Sequence, residues 1–313
     1  MFPTHCLQPF PDSPGSHALL SQEASTDTAI IFVHGFGGSA QKTWRDFHRL
    51  IDERADDYKW WKDSDVFFFQ YDSVTKPIAV TAHHLLSFVE ATFPIPDPRL
   101  FTLDGNSSVA VQEIKHIKDI HVRPGSVKYK HLVLVGHSEG AVLIRRAIIE
   151  KIKLLREEQR LPAQREQSDI DLLLTTAPIL SASVVLFAPA YLGASCSGWT
   201  GLLFHLSKIG SFLNPILNYM AAYVDLQKGS PVLQSIKEDT EYFANAFGWM
   251  DALYAKSVFG DADRIVYLGE YKHDPPPTFV KGQDHLSVCK PKMGYQYPLE
   301  IVRYEPRRRA SSA

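Results

Sequence analysis

Cysteine is scarce: 313 residues hold three, Cys6, Cys196 and Cys289, scattered along the chain. So few, so far apart, build neither a disulfide framework nor a zinc site, and their scarcity fits a reducing compartment. Neither sign of charge dominates. Lys and Arg number 33 against 35 Asp and Glu, a net charge of −2, so the basic footprint of a nucleic-acid binder is missing and no nucleic-acid partner is expected. The short EPRRR segment near the end reads as a solvated terminus. The N-terminal MFPTHCLQPFPDSPG lacks the basic start and apolar core of a secretory signal, and the expected location is cytoplasmic. No long apolar run is free of polar residues either. The best attempt, GLLFHLSKIGSFLNPILNYMAAYV at 201–224, holds His205, Lys208, Asn214, Pro215 and Asn218, which a bilayer span tolerates badly. Asn214 and Pro215 suit the N-cap and first position of a helix, so two amphipathic helices should meet there; transient contact with a lipid surface stays open. The His83/His84 neighbours point different ways on a helix, and His116 and His121 have no carboxylates around them. No metal and no organic cofactor are expected.

What is present is the composition of an ordinary globular protein, 45% hydrophobic and 22% charged. One domain over 1–313 is expected. TAIIFV at 28–33 is an apolar, β-branched run of the kind buried on both faces of a parallel sheet, and it feeds the glycine-rich HGFGG. A helix should follow from about Thr43. DVFFFQY at 65–71 reads as a strand and PIAVTAHHLLSFVEA from Pro77 as a helix. The proline-broken TFPIPDPRLFTLDGNSS reads as loop, and VAVQEIKHIKDI as helix again. After HLVLV comes a long amphipathic helix, then a polar connection, then the strand SVVLFAP at 183–189. Between 191 and 256 only helical pieces are legible; strand signal returns at SVF and RIVYLGEY. Strands alternating with helices imply an α/β fold, a mostly parallel sheet flanked by helices, with 191–256 as a helical insertion.

The corner VGHSEGA focuses the chemistry. Ser138 stands between Gly136 and Gly140 where a strand gives way to a helix. Glycines there let strand and helix pass closely, and a serine on the turn would hold its hydroxyl away from the sheet. G-x-S-x-G in that setting is a nucleophile elbow. A serine hydroxyl attacks poorly unless a base takes its proton, and the base needs a carboxylate to orient it.

The pieces IIFVHGFGGS, LVGHSEGA, DLQKGSPVLQ, GDADRIV and GQDHLSVCKP, spread over residues 30–291, resemble the α/β-hydrolase superfamily. Within it they look like the serine esterase and lipase branch that includes the GPI-inositol-deacylase-like enzymes. The resemblance implies Ser138 as nucleophile, His285 as base and Asp263 as the orienting acid, with Asp261 as second choice and Asp274 as outsider. It implies an oxyanion hole of the Phe36 and Glu139 backbone N–H groups, with Gly37 next in line. His34, Gly35 and Gly37 would border the substrate, His34 as an orienting residue. The Glu139 side chain is unusual at its position and is expected to turn sideways to a cation or polar partner. The 191–256 insertion would be a lid, with Phe204, Leu213, Ile216, Leu217, Met220 and Tyr223 either lining an acyl pocket or only packing the lid onto the core. Cys289 has no glycine elbow and reads as a small buried apolar residue. The implied activity is hydrolysis of a small-molecule or lipid carboxylic ester through an acyl-enzyme. A thioesterase, amidase, lactonase or phospholipase would use the same triad, and a non-catalytic binding protein could share the fold.

Overall fold

The computed structural model describes residues 5–54, 59–101, 127–157, 177–194, 221–246 and 249–312. Its centre is one eight-stranded sheet in the order β1-β2-β4-β3-β5-β6-β7-β8. The strands are β1 (His5–Pro9), β2 (His17–Ser21), β3 (Thr28–Val33), β4 (Ser64–Phe69), β5 (His131–His137), β6 (Ser183–Phe187), β7 (Lys256–Gly260) and β8 (Thr278–Val280). β1, β2 and β4 pair antiparallel; from β4 through β3, β5, β6 and β7 to β8 every pair is parallel. The helices are α1 (Ala40–Arg54), α2 (Lys59–Lys62), α3 (Ile78–Thr92), α4 (Glu139–Glu157), α5 (Ala221–Asp225), α6 (Pro231–Ala246), α7 (Met250–Leu253) and α8 (Tyr297–Ser312).

The central strands are helix-covered because their residues are apolar on both faces: every position of β3, β4 and β6 is buried. α1 packs on β3 and β4, α8 on β5 and β6, and α3 runs against α4. Phe32 of β3 gathers Trp44, Phe47 and Phe68 around it at centroid separations of 4.8, 4.7 and 5.2 Å. Such ring clusters add to the area they bury, and here they fix the height at which β3 hands over to HGFGG. Val33 stands in register with Gly136, Gly136 with Leu186, and Phe187 with Val258. The parallel strands therefore end along one edge, where α/β folds place their ligands.

Several expectations need correction. The β1–β2 hairpin was not expected from the sequence; its short strands, one ending in a proline, carry too little pattern without β4 beside them. Pro98–Phe101, inside the expected loop, forms a 3-10 turn. SVF lies in β7, but RIVYLGEY is not a strand. There Asp263 Oδ1 accepts the Ile265 and Val266 N–H groups, and Val266 makes only an isolated bridge to Ala194. The last strand is instead TFV of β8. The EPRRR segment continues helix α8. The expected helix at VAVQEIKHIKDI, His116, His121, Cys196 and the Asn214–Pro215 corner lie outside the described residues. Among the described residues, no helix is long and apolar enough to cross a membrane.

Candidate active site

Ser138 sits on the turn between β5 and α4 with φ of 54°, a left-handed conformation that costs a non-glycine residue energy and clusters at functional sites. Three backbone bonds hold it there. Its N–H donates to the Phe187 carbonyl at 3.0 Å, and its carbonyl accepts from Ala141 N–H at 3.2 Å and from Ala190 N–H at 3.3 Å. The glycines around it answer to close approaches. A Cβ on Gly140 would lie 2.3 Å from the Val33 carbonyl oxygen, so the tightest contact at that glycine is with the end of the neighbouring strand β3. A Cβ on Gly35 would lie 2.9 Å from the Ser138 Cβ.

His285 reaches Ser138 from the loop after β8. Its Nδ1–H donates to Asp263 Oδ2 at 2.9 Å, and its Nε2 stands 3.0 Å from Ser138 Oγ, positioned to accept the hydroxyl proton. The His285 and Asp263 side chains are 2% and 0% exposed, so water does not screen the pair. Local sequence builds the loop. In QDHLS, Asp284 Oδ1 accepts the Leu286 and Ser287 N–H groups, while Ser287 Oγ accepts Asp284 N–H. The preceding residue, Gln283, accepts Ala262 N–H at 3.0 Å, which ties the histidine loop to the aspartate loop. His137, unremarked in the sequence reading, donates Nε2–H to the His285 carbonyl at 2.8 Å. Burial foremost, then the nearby His285, pushes its pKa down to about 3, so it stays neutral.

The three acid candidates separate cleanly. Asp263 meets the histidine. Burial raises its pKa, but the His285 hydrogen bond and two backbone N–H groups outweigh that and leave it below the ordinary carboxylate range. Asp261 is exposed and accepts Gly282 N–H at 2.7 Å. Asp274 faces Arg145 at 2.7 Å, both side chains being almost fully buried.

The HGFGG loop follows β3. Phe36 is buried. Gly37 N–H is committed to Ser73 Oγ at 2.9 Å, which removes it from the donors expected beside Phe36. Glu139 opens α4, so its N–H has no carbonyl one turn back within the helix. His34 donates Nδ1–H to the Gly35 carbonyl at 2.9 Å and stacks on Tyr71 at 4.2 Å. Burial holds its pKa down to about 4.

The Glu139 side chain meets no cation; it is fully buried beside the Tyr71 hydroxyl, the polar partner that the sequence left open. The neighbouring Tyr71 hydroxyl directs its proton to the His34 carbonyl at 2.5 Å. Burial lifts the Glu139 pKa well above 4.5, the Tyr71 hydrogen bond opposes it, and Asp225 and Asp72 add to it. The acid is therefore held protonated where an unfolded glutamate would be charged. A raised acid pKa favours the fold at low pH, and the benefit fades as pH rises past 4.5 towards the folded value. One proton sets a slope of at most about 1.4 kcal/mol per pH unit. Asp263 acts oppositely and lower, losing stability as pH falls below 3.8. Burial also holds His17, His34 and His137 neutral, which makes stability rise with pH towards 6.5 in both wild type and Glu139→Gln, so the test is the difference between them. In urea unfolding between pH 5 and 8, Glu139→Gln should gain on wild type as pH rises, and a difference that does not change with pH would contradict the assignment.

Cys289 is free, buried and pushed up to about 12 by burial, an inert thiol. Among the described residues no group of three or more His, Cys, Asp or Glu could hold a metal ion. Phe204, Leu213, Ile216, Leu217 and Met220 lie outside the described residues; Tyr223, on α5, is buried. In DLQKGSPVLQ, Asp225 Oδ2 accepts Ile78 N–H at the start of α3, and Ser230 Oγ accepts Leu233 N–H at the start of α6. A cavity of about 490 Å³ opens between Phe10, Tyr71, His84 and Arg99, and none of Ser138, His285 or Asp263 lines it.

A sheet of this order, with a serine on the turn after β5, an aspartate after β7 and a histidine after β8, is the α/β-hydrolase fold. No family model and no curated protein matches the sequence. Similar solved structures include a peroxisomal alpha-beta-hydrolase of Saccharomyces cerevisiae (10% identity, 97% of this chain and 88% of that chain, TM-score 0.47). They also include a 2-hydroxy-6-oxo-6-phenylhexa-2,4-dienoate hydrolase of a Rhodococcus species (12%, 97% and 99%, 0.47) and a carboxylesterase of Bacillus subtilis (9%, 96% and 91%, 0.46).

Proposed function

We propose that this protein is a serine hydrolase that cleaves carboxylic esters through an acyl-enzyme. The observation that carries the reading is the unbroken hydrogen-bond chain Asp263–His285–Ser138, buried and on a strained turn. Ser138 Oγ attacks the ester carbonyl carbon while its proton passes to His285 Nε2. The imidazolium so formed is stabilised by Asp263. Negative charge on the former carbonyl oxygen is met by the Glu139 and Phe36 N–H groups, in a dry setting where such donors act strongly. Collapse breaks the ester C–O bond, the alcohol leaves with the proton from Nε2, and the acyl group stays on Oγ. Water then gives a proton to Nε2 and its oxygen to the acyl carbon; the acyl–Oγ bond breaks, Oγ takes the proton back from Nε2, and the acid departs. The acyl arm is assigned to residues 191–256, which act as a lid, and the substrate is a small-molecule or lipid ester.

A fluorophosphonate tests this directly. It should form one adduct, on the peptide carrying Ser138, with loss of any activity on nitrophenyl esters. Folded protein that takes no adduct, or takes it on another residue, would end the reading.

A further inference from the structure

Loop 34–40, which follows β3, is held by side chains of a second loop, residues 70–73, which follows β4. Three contacts come in chain order. Gln70 Oε1 accepts Ala40 N–H at 2.8 Å, where α1 begins. The Tyr71 hydroxyl donates to the His34 carbonyl at 2.5 Å, and its ring lies flat on the His34 ring, 4.2 Å between centroids with 12° between planes. Ser73 Oγ accepts Gly37 N–H at 2.9 Å. Ser73 thus holds the peptide that follows Phe36, and Tyr71 holds the His34–Gly35 peptide, one step before the peptide that carries the Phe36 N–H. Gln70 is anchored in turn, since its N–H donates to Ser16 Oγ at 2.8 Å, and Tyr71 is buried. Neither side chain hydrogen-bonds to Ser138, His285 or Asp263.

We propose that Tyr71 and Ser73 are positioning residues that set the Phe36 N–H for the oxyanion. The inference rests on the serine-hydrolase reading and goes beyond it. A glycine-rich loop has many accessible conformations, and a donor serves the transition state only if it stands ready about 3 Å from where the charge will develop. Hydrogen bonds on both flanks remove that freedom before substrate arrives. The signal was in the sequence, as QYDS directly after an apolar strand, but nothing in those residues names the loop they grip.

The test uses the full chain with Tyr71→Phe, which keeps the ring stack and loses the donor, Ser73→Ala, which loses the acceptor, and Ser73→Thr, which keeps a hydroxyl. Tyr71→Phe and Ser73→Ala should each lower kcat for a nitrophenyl ester roughly 10- to 100-fold with KM within about twofold, as expected of a displaced catalytic group. Affinity for a boronate that forms a tetrahedral adduct should weaken in parallel, and Ser73→Thr should recover most of the loss. Wild-type kcat in both truncated variants would overturn the proposal, as would equal losses in kcat, KM and thermal stability, which mark a general loss of fold. Hydrogen exchange is the readout independent of turnover. Peptides covering 34–38 should exchange faster in both truncated variants, with those of β5 and β6 unchanged; unchanged exchange at 34–38 also overturns the clamp. A wild-type protein that neither hydrolyses esters nor takes a phosphonate would instead count against the serine-hydrolase reading, while exchange still decides whether the clamp exists.

Discussion

Replacing Ser138 with alanine should lower kcat on an ester by about 10⁶-fold, the loss expected when a serine–histidine–aspartate unit loses its nucleophile. Oγ is the atom that forms the acyl bond in the proposed mechanism, and no other hydroxyl or thiol in the described residues bonds to His285. The companion substitution Asp263→Asn should cost about 10⁴-fold, for a reason the geometry makes specific. Asp263 Oδ1 already accepts the Ile265 N–H at 2.9 Å and the Val266 N–H at 3.4 Å. An asparagine would keep its carbonyl there and turn its NH₂ towards His285 Nδ1. The imidazole would then have to accept at Nδ1 and carry its proton on Nε2, facing Ser138, where it cannot take the hydroxyl proton. Asp261→Asn, altering an exposed acid on the same turn, should leave kcat within about twofold. Steady-state kinetics on a nitrophenyl ester checks all three. Near-normal turnover in Ser138→Ala would sink the assignment of the nucleophile, and a larger loss for Asp261→Asn than for Asp263→Asn would move the acid.

Asp274→Asn should leave the chemistry alone and strike stability instead, by about 3–5 kcal/mol, the scale seen when one member of a buried ion pair is removed. Arg145 is 1% exposed and Asp274 2%. The guanidinium also donates to the Leu253 carbonyl and to the Tyr191 hydroxyl, and lies 4.9 Å from the centre of the Tyr271 ring. Asp274 accepts Ala255 N–H at 3.2 Å as well. One arginine on α4 thereby ties together the ends of α7, the start of β7 and the segment around Tyr271. Without the carboxylate, a full positive charge stays buried with only neutral partners. Loss of the carboxylate charge is the damaging element, so the paired change Arg145→Met with Asp274→Leu should recover much of the stability. Urea unfolding of the single and double variants decides it. A single variant within about 1 kcal/mol of wild type would show that the pair does not hold these segments.

The contrast between these aspartates marks how far sequence reaches. Runs such as TAIIFV and HLVLV carry their strand preference in their own composition, and they form β3 and most of β5 as expected. GHSEG specifies its corner locally, because strand, turn serine and helix are neighbours in the chain. The order of serine, acid and histidine was equally legible. The identity of the acid was not: Asp261, Asp263 and Asp274 look alike as side chains, and only the fold decides which faces an imidazole, which a backbone amide and which a buried guanidinium. The burial of Glu139 was hidden for the same reason. Its surroundings, Tyr71, Asp72 and Asp225, come from segments far away in the chain. The β1–β2 hairpin and β8 are too short to announce themselves and take shape only against β4 and β7. Local pattern therefore determined the Ser138 corner and the sheet's inner strands, since propensity and alternation act over a few residues. Everything that depends on which distant group a polar atom meets was decided by the tertiary structure, since burial and hydrogen bonding become defined only once the chain has packed.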